Sequence, residues 1–379
     1  MKLAFIALAA VGALVGLISV VSTPDVSAAD DAAKGTSAQT VARDLPVTEI
    51  VNNEFTPGSE VAKNLLGADE GKGASDLDKI VDEIPVYKTQ AGVAGNLSSI
   101  GSDTLNNLMA FWKEGFQGYY PNVKLAVEGK GTSTAPPALI DGTADFGPMS
   151  RPMKNEEIDK FEKKYGYKPS YVAVAIDALA VFVHKDNPIK SLTLPQVDAI
   201  FSSTRKLGYK EDIVKWGQAG LQGNLAGSNI TLYGRNSASG TYGFFKEHTL
   251  GKGDYKATVK EQPGSATVVT CVSEDTAGIG YSGIGYMTAG VRAVPLAKDE
   301  NSEAYEATSE NAYSGKYPLW RFLYIYYNKK PGEELRPAVK EFLNYALSRE
   351  GQKVVIKDGY IPMSKALAEK ETTKFNTGK

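Results

Sequence analysis

The most strongly patterned stretch of the chain is its start, where Leu3 to Val21 form an almost unbroken apolar run behind a single positive charge at Lys2. A turn at Thr23-Pro24-Asp25 and the small residues Val26-Ser27-Ala28-Ala29 follow. This order of charge, apolar run and small-residue site predicts a secretory signal over 1–29, cut after Ala28 or Ala29. An uncleaved membrane anchor is the alternative reading. No cysteine follows the run, so a lipid anchor on that residue is excluded. From 30 to 94 the apolar patches are too short to close a core, and Ala, Asp, Gly, Ser and Lys dominate. A partly ordered arm is expected there, with one short helix near Ser75 to Val81.

Regular alternation begins at Gly95. Leu97 to Ile100 reads as a strand, and Gly101 to Thr104 as a turn into a helix whose Leu105, Leu108, Trp112 and Phe116 share one face. Pro121 closes that helix, and Val123 to Val127 reads as the next strand. Gly129 to Thr134 forms a second small-residue turn, ahead of Pro136 and Pro137, which suit a first helical turn. Asp145-Phe146-Gly147 dips toward a core, and Ser150-Arg151-Pro152 is expected to open a charged helix ending near Gly166. Two strands, Tyr171 to Ile176 and Ala178 to Val183, precede a helix over Leu194 to Phe201. Ile230 to Tyr233 is a strand, Arg235 to Thr241 a turn, and the helix after it runs through His248. Gly278 to Met287, the strand Arg321 to Tyr327 and one helix from Leu335 to Lys357 complete the pattern. Alternating elements of this size predict an α/β fold with open sheets.

A length of 379 residues exceeds what one core usually supports, so two lobes are expected. The boundaries fall at 95–180 for the first part of lobe 1, 181–284 for lobe 2, and 285–379 for the return to lobe 1. A formal net charge of −2 argues against a nucleic-acid partner, which would demand a basic excess. Cys271 is the single cysteine, so no intrachain disulfide forms and the residue is expected to be a small buried hydrophobe.

Four turns share one design, a strand end followed by small or hydroxyl residues and then a helix: Gly101 to Thr104, Gly129 to Thr134, Ser150 to Pro152 and Gly234 to Thr241. A helix start carries unpaired N–H groups and the positive end of the helix dipole, so such turns attract anions. In open α/β sheets the ligand crevice lies beyond the carboxyl ends of the strands, where they would gather. Plain N-capping is the bland reading of each. It does not account for the fourth turn, where Arg235 supplies a planar charged fork and Ser239-Gly240-Thr241 supply two hydroxyls and a bare backbone.

From Ser98 to Lys357 the sequence resembles the phosphate-binding proteins of high-affinity phosphate ABC transporters, most of all their cyanobacterial and marine branch. The resemblance is carried by GSDTLNNLMAFW, EGKGTSTAPPALIDGTADFGPMSRPM, AIDALAVFVHKDNP, GRNSASGTYGFF, GIGYSGIGYM and EFLNYALSREGQKVVIKDGYIPMS. It implies a two-lobed periplasmic-binding-protein type II fold with a two-strand hinge and a cleft that closes on dry phosphate. It implies Arg235, Ser239, Gly240 and Thr241 as ligand groups, with Asp103 and Thr104 from the first turn and Thr132, with Ser133 beside it, from the second. Well-studied members place an Asp just after the DFG-like stretch, to accept the phosphate proton. Here Ser150 or Arg151 takes that place.

Asp103 is the candidate replacement. A dehydrated carboxylate repels a fully ionised anion and accepts a hydrogen bond from one that keeps a proton, which separates phosphate from sulfate. Asp103 could instead cap the following helix, and Asp177, between the two expected strands, is a second candidate that could equally fix the crossover. The expected protein is a periplasmic monomer that binds inorganic phosphate for an inner-membrane ABC permease, without a cofactor. A binder of sulfate or molybdate is one competing reading. A phosphoester hydrolase is another, though only His184 and His248 are present and no nucleophile motif appears.

Overall fold

The structure is a computed structural model that describes residues 77–376; the signal segment and most of the arm lie outside the described residues. Helix α1 (Leu77–Asp82) buries Val81 and leads into an extended strap. Although the composition there suggested a poorly held arm, the strap is tied down: Arg349 donates to the Ile84 and Pro85 carbonyls, the Gln90 N–H donates to the Tyr120 hydroxyl, and the densest hold is on Tyr87. Its hydroxyl meets the Tyr120 hydroxyl at 2.8 Å and donates to Glu341 at 2.7 Å, while its N–H donates to Glu350 at 2.6 Å.

Strand β1 (Gly95–Ile100) pairs in parallel with β2 (Val123–Glu128), and between them run a 3-10 turn, Asp103–Leu105, and α2 (Asn106–Tyr119). Helix α2 buries Leu108, Met109, Trp112 and Phe116, the face its spacing predicts. A second 3-10 turn, Thr132–Thr134, enters α3 (Ala135–Asp141), followed by β3 (Gly147–Met149) and α4 (Asn155–Tyr165). Helix α4 starts after Lys154, so Ser150-Arg151-Pro152 leads to it and does not open it.

The two strands expected around Asp177 are one continuous strand, β4 (Ser170–His184). A buried Asp interrupts nothing here because Arg321 stands opposite it in the ladder and neutralises it. Beyond β4 come β5 (Leu192–Thr193), α5 (Leu194–Phe201), β6 (Thr231–Arg235), α6 (Gly240–Thr249), β7 (Lys260–Gln262), α7 (Ser265–Ser273) and β8 (Gly278–Gly283). The 3-10 turn Ile284–Tyr286, β9 (Val291–Ala293), β10 (Leu296–Ala297), α8 (Ser309–Tyr313) and β11 (Trp320–Tyr327) follow. The single helix expected over Leu335 to Lys357 is two, α9 (Pro337–Leu347) and α10 (Arg349–Lys357). Ser348 breaks it by adopting extended backbone and capping α10 through the Gly351 N–H. Helix α11 (Lys365–Asn376) ends the described chain.

Strand β4 organises the rest. Its residues up to Ala178 pair antiparallel with β11, and from Leu179 onward it pairs antiparallel with β8 and β9. The sheet order is β3-β11-β4-β8-β6-β7, with β9 also on β4. One lobe therefore builds on β1–β3, β11 and the first half of β4, the other on the second half of β4 with β6–β9. Both β4 and β11 are buried nearly throughout. Cys271 is half-buried, packed against a cluster that includes Phe182, Val268, Val272 and Val291.

Candidate ligand-binding site

The strand-end turns of the two lobes meet across the cleft. At the first turn, Gly101 must be glycine, since a Cβ would stand 2.2 Å from the Pro148 carbonyl oxygen. Ser102 makes no capping bond; its hydroxyl donates to Ser150 Oγ at 3.0 Å. Asp103 does not cap its own turn either. Its Oδ2 accepts the Ser265 N–H at the start of α7 (2.8 Å) and lies 3.3 Å from Arg235 Nη2. The carboxylate thus supplies the negative charge that the α7 N-terminus and Arg235 favour. Thr104 Oγ1 lies 3.0 Å from Thr241 Oγ1, and its carbonyl accepts from the Tyr360 hydroxyl.

At the second turn, Gly131 has φ +109, and a Cβ there would meet the Ala238 carbonyl oxygen at 2.8 Å. Beside it the Ser133 N–H donates to that same oxygen at 3.0 Å, a direct bond between the lobes. Thr132 Oγ1 accepts the Ser150 N–H at 3.2 Å and sits 3.1 Å from Ser150 Oγ. Thr132 and Ser150 are fully buried.

Arg235 ends β6 with its side chain 1% exposed. Nη1 donates to Ser265 Oγ (2.6 Å) and Nη2 to the Pro263 carbonyl (3.1 Å), while the buried Nε has no hydrogen-bond partner. Burial pulls the guanidinium pKa below its ordinary value and Asp103 acts the other way; an arginine stays charged at neutral pH regardless. Ser239 caps α6, accepting the N–H groups of Thr241 (3.1 Å) and Tyr242 (3.4 Å). Gly240 then comes so close to the opposite lobe that a Cβ would stand 2.5 Å from Thr132 Oγ1 and 2.6 Å from Ser150 Oγ.

One residue of the cluster escaped the sequence reading. Arg321, on β11, donates to Asp177 Oδ2 from Nε (3.0 Å) and Nη2 (2.7 Å), to the Ser150 carbonyl from Nη1 (2.8 Å), and to Thr241 Oγ1 from Nη2 (2.9 Å). Asp177 is fully buried and also accepts the Ile284 N–H at 3.1 Å. It therefore supports Arg321 and the start of the following turn. The signal that could have found Arg321 is an arginine at the head of an otherwise aromatic and aliphatic strand.

The structure thus brings together Asp103, Thr104, Thr132, Ser150, Arg235, Ser239, Gly240 and Thr241, with Asp177 behind them. Ser133 and Arg151 lie apart, lining a neighbouring groove of about 400 Å³ with Lys154, Ser237 and Lys246. The Arg151 guanidinium is taken by Glu157, at 2.9 and 2.7 Å. Thr241, Thr132 and Ser150 each accept a bond, from Arg321, the Ser150 N–H and Ser102 respectively. Each of the pairs Thr104–Thr241 and Thr132–Ser150 uses one hydroxyl proton within the pair and leaves the other to be donated. Such a set, with two arginines, suits an oxyanion.

Two α/β lobes sharing a strand and closing their strand-end turns over a donor-rich centre define a solute-binding protein of the periplasmic-binding-protein type, and the family model described as the PBP superfamily domain matches residues 87–350. Within that class the chain belongs to the phosphate-binding protein PstS family. It is 56% identical over 301 residues to the phosphate-binding protein PstS of Pseudomonas aeruginosa, an alignment covering 79% of this chain and 93% of that one. Protein SphX of Synechococcus elongatus is 27% identical over 282 residues, 74% of this chain and 81% of that one. Among solved structures, a phosphate ABC transporter substrate-binding protein from Clostridium perfringens with bound phosphate superposes with a TM-score of 0.60 at 28% identity, covering 71% of this chain and 99% of that one. An ABC-type phosphate transport receptor from Vibrio cholerae gives 0.54 at 25%, covering 70% and 99%.

Proposed function

We propose that this chain captures inorganic phosphate in its cleft and delivers it to an inner-membrane ABC permease. The observation that carries the reading is Arg235, a buried arginine whose Nε has no protein partner, set among hydroxyls that have protons to give. An unpaired buried donor is costly unless a ligand takes it. The relatives are named as binding and transport proteins, so the chain is read as a binder and not an enzyme.

In this reading Arg235, Gly240, Thr241, Thr104, Thr132 and Ser150 surround the anion, and Ser239 fixes the α6 N-terminus that faces it. Asp103 accepts the phosphate proton, in place of the Asp that other members carry after the DFG-like stretch. Asp177 acts through Arg321, and Ser133 and Arg151 stand at the rim. Lobe 1 comprises 95–180 and 285–379, and lobe 2 comprises 181–284. The protein works as a periplasmic monomer once the signal is removed. Among the described residues no helix is long and apolar enough to cross a membrane.

Calorimetric titration with phosphate, arsenate, sulfate and molybdate tests the assignment. Saturable one-to-one phosphate binding with far weaker sulfate binding is expected. Tighter sulfate or molybdate would replace the ligand, and turnover of a chromogenic phosphate ester would move the protein to the hydrolases.

A further inference from the structure

We propose that Arg321 is a positioning residue for the ligand: from its seat in one lobe it turns the Thr241 hydroxyl of the other into an obligate donor toward phosphate. The inference rests on the phosphate reading above and adds a residue that the binding turns do not contain.

Arg321 is held before it reaches Thr241. It stands in register opposite Asp177, where Nε and Nη2 both donate to Oδ2, and the second oxygen of Asp177 is occupied by the Ile284 N–H. Nη1 is spent on the Ser150 carbonyl, and from the other lobe the Phe244 ring of α6, its centroid 5.2 Å from the guanidinium carbon, adds a contact that comes and goes with Thr241. These contacts leave the planar fork little freedom to rotate, and its remaining contact is Nη2 to Thr241 Oγ1 at 2.9 Å. A guanidinium has donors only. The threonine oxygen therefore accepts, and its proton must be given elsewhere, to Thr104 Oγ1 at 3.0 Å or to an anion. The Thr241 N–H is already bound to the Ser239 cap. The hydroxyl proton is thus the polar handle that Thr241 still has to offer.

The contact also crosses between lobes. Arg321 belongs to β11, whereas Thr241 opens α6 after β6, on the far side of β4. Swinging α6 away breaks the 2.9 Å bond and returns the hydroxyl to free rotation. The donor is oriented in the closed arrangement alone, so its ordering and the closing of the cleft occur together.

Four variants test this by phosphate titration, with the ligand-free melting temperature as the check on folding. Arg321→Lys keeps a cation opposite Asp177 but loses the fork. It should weaken phosphate binding about tenfold or more, or 1.4 kcal/mol. Thr241→Val should lose a similar factor, while Thr241→Ser, which keeps the hydroxyl, should stay within about threefold of the wild type. The double variant Arg321→Lys/Thr241→Val should bind no more weakly than its weaker parent, because one interaction is removed twice. Should Arg321→Lys fail to fold, Arg321→Gln/Asp177→Asn replaces it, since both members of the buried ion pair are then neutral. Losses that add in the double variant, or a folded Arg321→Lys protein with wild-type affinity, would overturn the inference alone. Failure of the wild-type protein to bind phosphate would overturn the ligand assignment and this role with it.

Discussion

Adding one methyl group at Gly240 should weaken phosphate binding while leaving the ligand-free fold as stable as before, or more so. The Cβ of Gly240→Ala would stand 2.5 Å from Thr132 Oγ1, 2.6 Å from Ser150 Oγ and 3.0 Å from Thr132 Cβ. Ordinary contact begins near 3.4 Å, so each hydroxyl would have to retreat by about 0.8–0.9 Å. They are poorly placed to do so. The two hold each other at 3.1 Å, Ser102 binds Ser150 at 3.0 Å, and the Ser150 N–H binds Thr132 at 3.2 Å. Gly240 and these hydroxyls belong to different lobes, so opening the cleft relieves the clash without disturbing either core. Overpacking of this kind costs about 1–3 kcal/mol, which corresponds to roughly 5- to 150-fold in affinity. The backbone at Gly240 does not take a positive φ. Alanine is therefore at ease there, and replacing glycine at a compatible position stabilises by about 0.4–1 kcal/mol. Calorimetric titration and ligand-free melting on the same preparation separate the two effects. A phosphate Kd within twofold of the wild type would refute the reasoning. A parallel fall in affinity and melting temperature would show that the methyl damages the fold and not the closure.

Arg235→Ala removes a charge-assisted fork from a dry site and should cost about 2–5 kcal/mol of phosphate affinity, with Arg235→Lys recovering only part; unchanged titration curves would place the anion elsewhere. Asp103→Asn should narrow the phosphate-to-sulfate affinity ratio by at least about tenfold, or 1.4 kcal/mol, and an unchanged ratio would remove Asp103 from selection. That substitution should also cost more stability than a changed helix cap, because the partners of Asp103 are Arg235 and the α7 N-terminus. Burial pushes the Asp358 carboxyl up to about 7, and its Oδ2 is buried without a partner. The folded state therefore holds this proton more tightly than the unfolded chain, whose carboxylate titrates near about 4, and stability falls as pH rises through that window. Asp358→Asn should flatten the slope, gaining about 1–2 kcal/mol at pH near 8 after discounting for its partial exposure, and nothing near pH 4. Identical pH–stability curves for the two proteins would refute it.

What could be read from the sequence was whatever is local in the chain. Arg235 to Thr241 forms one short turn, so its charge, hydroxyls and bare glycine announce themselves together, and α5 begins and ends where its apolar spacing says. What depends on contacts distant in sequence was harder to see. Trp320–Tyr327 reads as pure core, and its arginine gains a meaning only from Asp177, which lies 144 positions away. Asp177 itself looked like a break between strands because its partner could not be seen. The same holds for Ser348, whose capping role divides a helix that periodicity runs together, and for Asp103, whose partners come from the other lobe. The arm was underrated for a related reason. Composition measures the apolar groups a segment carries, whereas Tyr87 is held by hydroxyl and carboxylate partners on α9, α10 and the end of α2.

Because β4 gives its first half to one lobe and its second half to the other within a single sheet, neither lobe owns a complete set of strands. A fragment cut at the middle of β4 would expose a run of unpaired backbone along β11 or β8, an open edge of the kind that recruits other chains. The two lobes are therefore expected to melt as one cooperative unit. Division of labour between the halves stops at function. Folding remains a joint property of the whole chain.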